Sequence, residues 1–184
     1  ELLEAVIAAG KPVVLLLMAA RPLDLKGAAP HAILNIWYPG SQGGHAVANT
    51  LFGDTVPGGK LPFNWVRTVG QVPLPYARMQ THKPEDRDTR YWNESGDPRY
   101  PFGFGMSYAS FAYSNLRLSA LTIAPGQDLP LTVDVTNLSA CAGDEVVQLY
   151  VGQRHGSAAR PIRQLKGFSR ISLQGGERRS VELV

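Results

Sequence analysis

The hydrophobic positions change period part-way along the chain. In the first stretch, "ELLEAVIAAG" sets Leu2, Leu3, Val6 and Ile7 on one helical stripe. Gly10 follows where a helix end favours left-handed backbone. "KPVVLLLMA" and "HAILNIWY" are continuous apolar runs, the pattern of strands covered on both faces. "GHAVANTLFG" predicts a second helix with Ala46, Val47, Thr50 and Leu51 facing inward and Gly53 closing it. Helices and buried strands in this alternation predict an α/β unit with a parallel sheet.

From Phe111 onward the period is two. "SNLRLSAL", "LPLTVDVTN", "EVVQLYVGQ" and "RSVELV" are short strands divided by the turn signals "APGQD", "SACAGD" and "LQGGE". Leu131, Val133 and Val135 alternate with Thr132, Asp134 and Thr136, so the first set should face a core and the second set solvent. The pattern predicts an all-β sandwich. About five strands are visible, the last running to Val184, where such a sandwich has about seven. The sandwich is therefore expected to be incomplete. Between the two grammars lies a long irregular stretch containing "THKPEDRDTRYWNESGDPRYPFGFG". Segments of this length usually carry function or join domains. Tyr91, Trp92, Tyr100, Phe102 and Phe104 within it argue against disorder. The expected organisation is residues 1–75, a connector 76–110, and a β-domain 111–184.

Composition narrows the function classes. The chain has 184 residues, 44% apolar and 18% charged, which suits a globular protein with a real core. The longest apolar run, "PVVLLLMAA", is too short for a membrane span, which needs about 20 residues. The 18 Lys and Arg against 15 Asp and Glu give a net charge of +3. They form no dense basic block, which argues against nucleic acid as a partner. Cys141 is the single cysteine, so an internal disulfide and a multi-cysteine zinc site are both excluded. It reads as a tolerated loop thiol. No signal peptide is visible, and the chain opens mid-helix without a methionine, so it reads as a piece of something longer.

The turn "PGSQGGHAV" invites a phosphate reading that its residues do not support. It lacks the Lys-Ser/Thr pair of a P-loop, and Gly40, Gly43 and Gly44 miss the dinucleotide spacing. It is either a tight strand-to-helix turn or a helix N-terminus orienting a polyol or carboxylate. A glycosidase needs two carboxylates about 5 Å apart for retention and about 6.5–9.5 Å apart for inversion. Asp24, Asp54, Glu85, Asp86, Asp88, Glu94 and Asp97 qualify by type, but spacing pairs none of them. His31, His45, His82 and His155 lack metal-ligand spacing, and neither a metal nor a cofactor is indicated. Asn93 and Asn137 open glycosylation sequons. The run "YPFGFGMSYASF" either packs one domain on another or stacks against sugar.

Taken in order, these blocks resemble glycoside hydrolase family 3, in particular its bacterial periplasmic β-glucosidases. "GKPVVLLLMAARPLDL" is similar to that family's strand followed by Gly-Arg-Pro-Leu, with Ala20 in place of the usual glycine. "AILNIWYPGSQGGHAVANTLFGDTVPGGKLPFNW" resembles its Trp-Tyr-x-Gly and Leu-Phe-Gly-Asp block. "YPFGFGMSYASF" resembles its Tyr-Pro-Phe-Gly-x-Gly block, with Met106 and Ala109 as departures. "VDVTNLSACAGDEVVQLYV" and "RPIRQLKGFSRISLQGGERRSVEL" resemble its fibronectin type III-like domain.

The resemblance implies the C-terminal half of an α/β sandwich followed by an incomplete fibronectin-like sandwich. It implies a parent enzyme that is a retaining exo-β-glucosidase acting on β-glucosides or oligosaccharides in the periplasm or outside the cell. Its (β/α)₈ barrel and both catalytic carboxylates would lie outside this chain, leaving no catalytic residue to assign here and an isolated chain that is inactive. Trp37, Arg90 and Tyr91 are the expected substrate-binding walls, with packing as their alternative role. A binding or assembly module without catalysis remains open, as does a parent acting on xylosides or N-acetylglucosaminides. An open sheet edge would favour a homo-oligomer.

Overall fold

The computed structural model describes residues 1–79 and 95–184. The chain folds into two compact units interleaved in sequence. Of the described residues, 1–55, 63–75 and 95–102 build the first, and 56–62, 76–79 and 103–184 the second.

In the first unit, helix α1 (Leu2–Ala8) ends as its pattern predicts, with Gly10 at φ +68°. Strands β1 (Val14–Leu17) and β2 (Ala32–Asn35) pair in parallel, Val14 opposite Ala32 and Leu17 opposite Asn35. The β1 run is apolar throughout, yet it is covered on one face only. Val13 and Leu17 are buried, while Val14, Leu16 and Met18 are exposed. This differs from the expectation of a strand buried on both sides: among the described residues nothing layers over the second face. Helix α2 (Gly43–Phe52) follows a 3₁₀ turn at Gly40–Gln42 and is closed by Gly53 at φ +89°. Only Val47 and Thr50 of its expected inward set are shielded, whereas Ala46 and Leu51 are exposed. The apolar stripe is thus wider than the surface it covers.

The second unit is antiparallel. Strands β3 (Phe111–Leu118), β4 (Leu131–Asn137) and β7 (Arg178–Leu183) form one sheet in the order β3-β4-β7. Strands β5 (Gly143–Val151) and β6 (Gln164–Leu173) form the other. β4 alternates as its sequence requires, with Leu131, Val133 and Val135 buried and the residues between them half-buried. These three join Val147, Ile171, Leu173, Val181 and Leu183 in one core, with Phe111 and Leu149 packed against it. β-Branched residues dominate it because they fit a pleated, half-buried surface. Among the described residues no helix is long and apolar enough to cross a membrane.

Candidate functional site

An aromatic constellation lies in the first unit. β2 runs into Trp37, which adopts φ +52°, a backbone region uncommon for bulky side chains and often held at functional positions. The Trp37 ring meets Phe63 edge-on, centroids 5.6 Å apart and planes at 86°. Phe63 in turn lies 6.0 Å from Trp65 at 38°. Trp65 is almost fully buried and anchors the row. Its indole N–H donates to the Leu23 carbonyl at 3.0 Å, and its backbone pairs with Tyr100. Asn64 fixes the intervening turn, donating to the Leu74 carbonyl at 3.1 Å and accepting from the Phe102 N–H at 2.8 Å. The outcome is a rigid aromatic row whose half-buried end is Trp37. Such a face suits the C–H surface of a pyranose and carries no charge for proton transfer.

Two residues before Trp37, the carboxamide of Asn35 at the end of β2 is buried with neither side-chain atom hydrogen-bonded among the described residues. A group left so costs about 1–3 kcal/mol.

Of the expected wall residues, Trp37 is therefore placed, while Arg90 and Tyr91 lie outside the described residues, as do Glu85, Asp86, Asp88, Glu94, His82 and Asn93. Phe63 and Trp65 escaped the sequence reading. Their only signal was aromatic residues two apart in "LPFNW", directly after the glycine-lysine turn.

Several acids are committed to local structure. Asp24 accepts from the Lys26 N–H at 2.8 Å, an Asx-type turn. In the second unit, Arg178 and Asn115 hydrogen-bond Asp134 and hold its carboxyl down at about 2. Ser172 and Arg170 likewise lower Asp144, which accepts from them at 2.6 and 3.0 Å. The Gln174 N–H and Arg179 lower Glu177. Carboxylates stabilised as anions in this way are poor proton donors. His31 also serves the fold, its Nδ1 accepting from the Val13 N–H at 3.0 Å. Among the described residues no three of His, Cys, Asp and Glu gather to hold a metal. The sequon at Asn137 is incidental to the fold, since its carboxamide is fully buried and bonded to Cys141 and Leu173 carbonyls. Cys141 itself is free and exposed.

Residues 1–108 match the glycosyl hydrolase family 3 C-terminal domain. The chain belongs to glycoside hydrolase family 3. Residues 145–184 match a fibronectin type III-like domain, in agreement with the antiparallel second unit. A periplasmic β-glucosidase of Salmonella typhimurium is 42% identical over 98% of this chain and 25% of its own length. A β-xylosidase of Formosa agariphila is also 42% identical, with the same coverage. Among solved structures, a β-glucosidase from Erythrobacter marinus superposes with a TM-score of 0.85 at 43% identity, covering 98% of this chain and 24% of that one. The β-glucosidase of Listeria innocua, solved with laminaribiose, gives 0.88 at 36% identity over 99% of this chain and 26% of its own. This family 3 chain thus spans about a quarter of the length of the relatives it matches.

Proposed function

We propose that this chain is the C-terminal quarter of a retaining β-glucosidase that removes terminal non-reducing β-D-glucosyl residues. The carrying observation is family 3 likeness along nearly the whole chain to β-glucosidases whose length is about four times greater. In the parent, an Asp attacks the anomeric carbon, while a Glu protonates the leaving oxygen and then activates water. Both carboxylates belong to polypeptide beyond this segment, including the (β/α)₈ barrel. The segment contributes scaffold and a wall of the sugar site through Trp37, with Arg90 and Tyr91 as further wall residues. Two features support a larger body around it: the uncovered apolar face of Val14, Leu16 and Met18, and the unpartnered carboxamide of Asn35. The name of the Salmonella relative supports a periplasmic setting. The exposed outer strand β3, with Leu116 and Leu118 in view, supports self-association of the isolated chain.

The purified chain should release no nitrophenol from p-nitrophenyl β-D-glucoside above the buffer rate, and the full-length parent should release it. In the parent, Trp37→Ala should raise KM for that substrate. Turnover by the isolated chain would overturn the reading. The equal identity to a β-xylosidase favours one rival, a parent that prefers β-xylosides. The ratio of kcat/KM for the two nitrophenyl glycosides decides between them.

A further inference from the structure

We propose that Lys60, Glu145 and Tyr113 form a buried latch that fastens residues 56–62, as a strap, onto the five-stranded unit. Lys60 falls within the segment matching the family 3 C-terminal domain, and Glu145 opens the segment matching the fibronectin-like domain. Yet residues 56–62 belong to the same compact unit as β3 to β7. The latch therefore joins two stretches that sequence families assign apart.

The charges complete one another. The Lys60 ammonium lies 3.0 Å from Glu145 Oε2, with the two side chains only 15% and 11% exposed. It also donates to the Gly105 carbonyl at 3.2 Å. The other carboxylate oxygen, Oε1, accepts from the Tyr113 hydroxyl at 2.8 Å. Both oxygens of the acid are thus engaged, and burial together with Glu145 pushes the Tyr113 hydroxyl far above its usual range. Lysine and glutamate are seldom buried unless paired, because desolvation is offset only by close, fully bonded geometry.

The backbone agrees with the side chains. Leu61 N–H donates to the Phe104 carbonyl at 2.8 Å, and Gly103 N–H donates back to the Leu61 carbonyl at 2.7 Å. The strap lies flush because its neighbours lack side chains where it passes. A Cβ on Gly105 would collide with the Gly59 carbonyl. Gly58 sits against Asp144 in the same manner.

Residue-resolved hydrogen exchange on the full 184-residue chain tests the latch. In Lys60→Met, exchange at the Leu61 and Gly103 amides should rise about 100-fold, the equivalent of two decades of opening equilibrium. Val135 and Leu173 should keep their protection. Tyr113→Phe, a milder change, should raise the same two amides about tenfold by removing one hydrogen bond to a charged acceptor. In a Glu145→Leu background, Lys60→Met should have a much smaller effect at Leu61, since the partners act as a pair. Three results would overturn the proposal: unchanged exchange at Leu61 and Gly103 in Tyr113→Phe, equal loss of protection at Val135 and Leu173, or additive effects of the two substitutions.

Discussion

Asn137 offers the sharpest test of how the β-unit is held. It sits at the end of β4 with no exposed surface. Its Nδ2 donates to the Cys141 carbonyl at 2.8 Å and the Leu173 carbonyl at 3.2 Å, and its Oδ1 accepts from the Ser139 N–H at 2.9 Å. Asn137→Ala removes all three bonds at a net of about 1 kcal/mol each, and orphaned buried partners add to that, so a loss of at least about 3 kcal/mol is expected. Asn137→Asp keeps the shape but turns a donor into an acceptor facing two carbonyl oxygens. Burial without a cation raises the folded-state pKa of that new acid. A raised folded pKa means its favourable protonated form is retained at low pH and lost as pH rises, so the penalty relative to wild type should grow between about pH 4 and pH 7. Urea unfolding followed by far-ultraviolet circular dichroism measures both effects. With a slope of about 1–3 kcal/mol per molar, the Ala variant should lower the midpoint by at least about 1 M. A midpoint within about 0.3 M of wild type would refute the reasoning, as would an Asp penalty independent of pH.

Two further outcomes follow from the second unit. The Asp134 carboxyl, held at about 2 by Arg178 and Asn115, lies below the ordinary value of 3.8. Its contribution is complete above the unfolded pKa and disappears as pH falls through the folded one. The difference in thermal midpoint between wild type and Asp134→Asn should therefore be largest near pH 6 and shrink toward pH 2; a constant difference would contradict this. Size-exclusion chromatography of the isolated chain should show self-association that Leu116→Lys, a charge placed on the edge strand β3, suppresses. A stable wild-type monomer would argue against it.

The legible parts of the sequence were those governed by local rules. The period-two pattern of Leu131, Val133 and Val135 named the inward face of β4, and Gly10 and Gly53 marked helix ends through their positive φ. The illegible parts depend on what lies against a residue. Val14, Leu16 and Met18 have the composition of a doubly covered strand, but burial is decided by neighbouring layers, and here one face is open. Ala46 and Leu51 mislead for the same reason. Strand β6 turns Phe168 outward, 67% exposed, and holds Gly167 at a shielded position, so its alternation is blurred. At the candidate site, Trp37 stood out as an aromatic beside a glycine turn, whereas its companions Phe63 and Trp65 reach it only through the fold. Lys60 and Glu145 drew no notice in the sequence, because nothing local announces a partner 85 positions away.

The placement of residues 56–62 bears on how chains of this family can exchange parts. A recombination crossover between Phe102 and Gly103 would transplant every strand from β3 to β7 and leave behind the lysine that neutralises Glu145. The recipient would inherit a shielded anion with no counter-charge unless its own upstream sequence happened to supply one. Swapping this β-region between lineages thus demands matched ancestry at two distant points of the gene.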